Sequence, residues 1–282
     1  MKKLQNHSPQ SQHKEERSQG PREHHMGHEH LSPASAAAKQ PLVININLQF
    51  DPAVSFAGKP TRMVLIVAEQ RSGEPIPLFE KIHDKLMHLI IVNLSDLSSF
   101  AHLHPVFNKE NGSRFEITHT FQEADEYKAW VDVKPQDASQ VLAAFRFKVF
   151  GEPVHKSKAV GRDEEQFSKV VDNGRYRIDL VLPDHVAAGH NVDFIFRVAD
   201  SKGNPIHDLE PLMAAGGHCV IISSDAKDFL HVHPAEQVKE NWRGGPDVAF
   251  SATFPKSGVY RIWGQFHHKG KVITADYDLV VK

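Results

Sequence analysis

One cysteine, Cys219, is present in 282 residues, so an intrachain disulfide is impossible and the redox compartment cannot be read from bridges. Long hydrophobic runs are lacking as well, and the sequence predicts no transmembrane segment. Met1-Lys2-Lys3 supplies the charged start of a secretory signal, but no apolar centre follows it, so no export signal is expected. Charge of one sign is absent too: 33 basic side chains face 35 acidic ones, which leaves no electrostatic footprint for nucleic acid. Helical periodicity is scarce. No Gly-rich phosphate loop, nucleophile elbow or zinc-protease helix occurs.

Histidine, by contrast, occurs 20 times, and part of it recurs in register. The segments from Ser95 and from Ser224 share the pattern Ser-Asp-x-x-x-Phe-x-His-x-His-Pro. Ser95, Asp96, Phe100, His102, His104 and Pro105 are matched by Ser224, Asp225, Phe229, His231, His233 and Pro234. Upstream, His88 is matched by His218, and a His-Asp pair follows a Gly-x-Pro-Ile segment in both copies, His83-Asp84 and His207-Asp208. Downstream, Phe121, Tyr127 and Trp130 are matched by Phe254, Tyr260 and Trp263. The period is roughly 130 residues, far longer than a solenoid repeat, so this is a duplicated domain. A chain of this length ordinarily holds about two domains, each able to bury its own core.

Residues 1–40 are polar, with almost no large apolar side chains, and are expected to form a disordered tail. The tail carries His24-His25-Met26-Gly27-His28-Glu29-His30, a cluster of soft and borderline metal ligands. From Leu42 the pattern changes: Ile44, Ile46, Leu48 and Phe50 alternate with polar residues, the period of a half-buried strand. Short β-rich runs bounded by Gly, Pro, Asn, Asp and Ser then recur. The expectation is all-β: two tandem antiparallel Greek-key sandwiches, immunoglobulin-like or cupredoxin-like, at 41–150 and 175–282, joined by a charged linker at 151–174. Tyr127 and Tyr260 are assigned to sandwich corners, and Trp130 and Trp263 to structure.

Neutral imidazole suits zinc and copper, and histidines at i and i+2 on a strand project from one face. The sequence therefore predicts one three-histidine metal site per domain, His88 with His102 and His104, and His218 with His231 and His233. Copper is the expected ion, zinc the alternative, and the tail is expected to raise local ligand concentration or hand metal on. Met87, Met213 and Cys219 are nearby sulfurs, read first as core residues. On a strand that turns His218 toward a metal, Cys219 faces away. Asp96 and Asp225 are read as turn formers. His119, His267 and His268 have no counterpart in the other copy.

Two alternatives stand beside this reading. In one, a structural or interaction module, the histidines lock sandwich corners. The other, a metalloenzyme, lacks a general base beside the histidines of both copies, Glu210 and Glu236 being candidates in the second only.

The residues resemble a group of bacterial, mostly exported β-sandwich proteins with the pattern Met-His-Leu-x-Ile-Val, then Asp-x-x-x-Phe-x-His-x-His-Pro, then Phe-x-x-x-Gly-x-Tyr. It is matched here at Met87 to Val92, Asp96 to Pro105, Asp225 to Pro234, and Phe254, Gly258 and Tyr260. The resemblance covers nearly everything after the tail. It implies an extracytoplasmic heavy-metal or copper-associated binding role; the reading that follows is a non-enzymatic metal-binding protein, with a partner protein in metal transfer as a further expectation.

Overall fold

The structure is a computed structural model that describes residues 42–110, 112–152, 167–232, 234 and 238–282. The tail and its His24 to His30 cluster, His233 and Glu236 lie outside the described residues. In the first repeat the strands are β1 (Ile44–Asp51), β2 (Ser55–Phe56), β3 (Pro60–Glu69), β4 (Phe79–Glu80), β5 (Met87–Asn93), β6 (Phe100–Leu103), β7 (Val106–Asn108), β8 (Arg114–Thr120), β9 (Asp125–Pro135) and β10 (Val141–Phe150). The second repeat holds β11 (Ser168–Val171), β12 (Tyr176–Val181), β13 (Asn191–Asp200), β14 (His218–Ser223), β15 (Phe229–Val232), β16 (Asp247–Thr253), β17 (Gly258–His268) and β18 (Lys271–Val281).

Each repeat is a sandwich of two sheets, as the sequence predicts. In the first, β1-β3-β8-β7 faces β2-β10-β9-β5-β6; in the second, β11-β12-β13-β16 faces β15-β14-β17-β18. Pairing is antiparallel throughout except for the two-residue contact of β2 with β10. The alternation in β1 sends Ile44, Ile46, Leu48 and Phe50 to the first core, beside Leu65, Phe115 and Phe121. Tyr127 and Tyr260 close the sandwich corners by donating their hydroxyls to the carbonyls of Glu123 and Lys256, each at 2.9 Å. Among the described residues no helix is long and apolar enough to cross a membrane.

The expected linker at 151–174 is too long at its C-terminal end. Ser168–Val171 is β11, paired with β12, because Phe167 and Val171 pack against the second core. Charged neighbours mask this short alternation in the sequence.

β5 and β14 are buried at every position. A strand between a sandwich core and water would alternate, so each of these must cover a second apolar surface. Met87, Leu89 and Ile91 point into the first core and Cys219 and Ile221 into the second. Ile90, Val92 and Trp130 instead meet Val220, Ile222 and Trp263 in a third cluster between the repeats. Two aromatic stacks fix that interface, Phe100 on Trp263 with centroids 4.7 Å apart and Trp130 on Phe229 at 5.1 Å. The residues exchange roles between repeats, so the two sandwiches pack as a pseudo-twofold pair. Lys128 Nζ donates to the Ala226 carbonyl and Arg261 Nη1 to that of Asp96, completing the exchange.

Candidate metal centre

His88 and His218 stand on the interface faces of β5 and β14, and both are fully buried. β6 pairs with β5 so that His102 lies opposite Ile90, and β15 pairs with β14 so that His231 lies opposite Val220. Both repeats thus send their histidines to one end of the shared interface. His88, His102 and His231 place ligand nitrogens within 4.8 Å of one another. His104 lies 5.0 Å from the His88 ring and 4.8 Å from that of His102, and His218 lies 5.5 Å from His102 and 5.6 Å from His231, centroid to centroid.

This differs from the expected pair of sites, one per domain. The closest set of donors takes two histidines from the first repeat and one from the second. The reason is the third hydrophobic cluster: packing the motif-bearing sheets face to face turns His88 and His102 of one repeat and His218 and His231 of the other into the same buried space.

Proton positions follow from the outer partners. His88 Nε2 lies 2.8 Å from the Ile82 carbonyl, which can only accept, so this nitrogen carries the proton and Nδ1 is a bare lone pair. His102 Nδ1 lies 2.8 Å from Gln265 Oε1, which turns its Nε2 toward His88. His88 Nδ1 and His102 Nε2 face each other at 3.0 Å. Nitrogens about 2.0–2.1 Å from a shared ion sit roughly 3.3–3.4 Å apart at the tetrahedral angle and about 2.8–3.0 Å apart at a right angle. His231 repeats the arrangement, with Nδ1 3.4 Å from Asp132 Oδ2. Three rings therefore each have one nitrogen held by an oxygen acceptor, as in metal sites where outer hydrogen bonds orient ligating imidazoles.

The outer partners also trade places across the interface. Asp132 and Gln265 follow Trp130 and Trp263 by two residues, and each engages the other repeat's histidine. A carboxylate stands behind one ligand and an amide behind the other. Gln140 donates to Asp132 Oδ1 at 2.7 Å, and Gln265 donates to Thr274 Oγ1 at 3.3 Å.

Burial disfavours the charged form of His88, His102 and His104. It holds His88 down at about 3, with the neighbouring His231 adding to the effect, and His104 at about 4, with Lys85 adding there. His102 is likewise pushed well below its ordinary value. Burial raises the Asp132 carboxyl, but hydrogen bonds from His231 and Gln140 outweigh it and leave the net shift downward.

His83 belongs to the cluster, although its pairing with His207 in the sequence hid it. Its ring centroid is 5.9–6.1 Å from those of His231, His218 and His88. The true register is set by two tight turns, Ile82 to Lys85 and Leu212 to Ala215, each six residues ahead of its buried histidine. His83 thus corresponds to Met213. His207 is exposed, and Asp208 accepts from His268 Nε2 at 2.9 Å outside the cluster. Constant spacing from Ile76 and Ile206 would have given the correct alignment.

Two of the three sulfurs are not part of the site: Met87 and Cys219 lie in the two cores. Asp96 and Asp225 accept backbone N–H bonds from Ser98 and Lys227, as turn formers do. His268 bridges Asp208 and the Tyr176 hydroxyl, and Glu210 accepts from Gly270 N and pairs with His267. His119 packs edge-on against Phe121.

These features define a tandem β-sandwich protein with a histidine cluster buried between its repeats. The chain belongs to the family described as Domain of unknown function (DUF8832), whose profile matches it twice, at residues 43–151 and 169–282. No protein among the curated ones matches the sequence. Solved structures to which it is similar include the FdeC adhesin of Escherichia coli, at 15% identity, 84% coverage of this chain and TM-score 0.27. Others are the Escherichia coli alpha-2-macroglobulin activated by porcine elastase, at 12%, 86% and 0.27, and a carbohydrate-binding module of the β-sandwich superfamily, at 9%, 86% and 0.24. The chain spans 64% of the adhesin structure, 22% of the macroglobulin and 94% of the binding module.

Proposed function

We propose that the protein is a non-enzymatic metal-binding protein that holds one divalent ion, copper or zinc, between its two repeats. The observation that carries this reading is the convergence of His88, His102 and His231 from both repeats, whose donor nitrogens lie within 4.8 Å of one another while the other nitrogen of each ring meets an oxygen. His231 is the third ligand, oriented by Asp132.

The donor set is imidazole alone, which suits Cu(II) and Zn(II) better than cuprous copper, since the sulfurs of Met87 and Cys219 are spent in the cores. Where both divalent ions are available, the affinity order favours copper. Holding such an ion fits a role in metal homeostasis or resistance, with a partner protein receiving it.

Calorimetric titration of the chelator-stripped chain with Cu(II) and with Zn(II) tests the reading. One equivalent is expected, lost in His88→Ala. Absence of saturable binding by either ion refutes it. A second reading draws on the hydrogen bonds from His102 to Gln265 and from His231 to Asp132, which join the repeats: the histidines act as an interface lock. In that event His88→Ala and His102→Ala lower the melting temperature equally with and without chelator.

A further inference from the structure

Resting on the metal-site reading, we infer that His83 is the capture ligand, the side chain that takes the ion from solvent and passes it to the buried triad. A cavity of about 220 Å³ opens beside the cluster, lined by His83, Asp132, Gln140, Leu142, Phe229 and His231. Of its two imidazoles, His231 has only 6% of its side chain exposed, whereas His83 is half-buried at the mouth. A hydrated ion exchanges its waters one at a time, so the first protein donor it meets must be reachable from water while standing close to the final ligands. His83 meets both conditions, with its ring about one ring's breadth from His231 and His88.

The turn that carries His83 strengthens the assignment. His83 and Asp84 have φ of 47° and 65°, the left-handed pair of a two-residue hairpin turn that Asn-Gly would fill at less cost. The turn is closed by reciprocal bonds between Ile82 and Lys85, at 2.8 and 3.0 Å. The Ile82 carbonyl is also the acceptor that fixes His88. Capture at His83 and orientation of the first buried ligand therefore share one rigid turn. Repeat two has Met213 at this position, so the route exists on one side of the pseudo-twofold axis.

The test is stopped-flow mixing of the full chain with Cu(II), read by quenching of tryptophan fluorescence, with Trp130 stacked on the cavity residue Phe229. His83→Ala should load at a rate lower by about tenfold or more, while calorimetry still finds one equivalent. Leu142→Trp, which narrows the mouth without touching a ligand, should slow loading in the same way. Loading of His83→Ala at the wild-type rate overturns the inference and leaves the metal site standing. Loss of the bound ion in His83→Ala also overturns it, since His83 would then be a permanent ligand. Failure of the wild-type chain to take up Cu(II) at all brings down the metal-site reading and this inference together.

Discussion

Gln265 and Asp132 occupy equivalent positions but present an amide and a carboxylate to the histidines they orient. Removing either acceptor should loosen the ring it holds: Gln265→Leu and Asp132→Leu are expected to lower metal affinity by about 10–100-fold with stoichiometry unchanged, measured by competition with a chelator. The rings also set a pH dependence. His88 titrates near 6.5 when unfolded and about 3 when folded. Between those values the unfolded chain binds the extra proton, so stability of the metal-free protein is full above pH 6.5 and falls as pH drops toward 3. The slope from this ring approaches about 1.4 kcal/mol per pH unit. Denaturant melts in chelator should show it, and His88→Gln should flatten it. The motif histidines were visible in the sequence through duplication, but Asp132, Gln265 and His83 were not. The first two act on the other repeat's ligands, a relation that only the interface creates, and the third was masked by a chance His-Asp pair at His207.

Strands β5 and β14 each serve two surfaces, and that explains their composition. A sequence such as Met87 to Asn93 reads as a buried strand, and nothing in it says that alternate residues belong to different cores. β1, which alternates cleanly, and the corner tyrosines were legible because each answers to a single sandwich. The tryptophans were recognisable as structural, but the fold uses them between repeats. Trp130→Ala should therefore cost about 3–5 kcal/mol in unfolding free energy and weaken metal binding, since it removes the stack on Phe229 beside the cavity. Tyr127→Phe, which deletes one hydroxyl donor at a corner, should cost about 1 kcal/mol and leave binding unchanged.

At the scale of the whole molecule, duplication has brought histidines of both repeats into one cluster. Had the two sandwiches packed through other faces, each would have kept its own histidines, as a reading of one repeat at a time implies. Burial of Ile90, Val92, Val220 and Ile222 between them makes the difference. Stoichiometry in paired single mutants tests this most directly. Metal content per chain, measured by elemental analysis after loading and desalting in a background with His24, His25, His28 and His30 of the tail changed to Ala, is predicted to be one equivalent in that parent chain and none when either His102→Ala or His231→Ala is added. Retention of half the parent chain's metal in each mutant would contradict the account, because it would mean that the repeats bind independently.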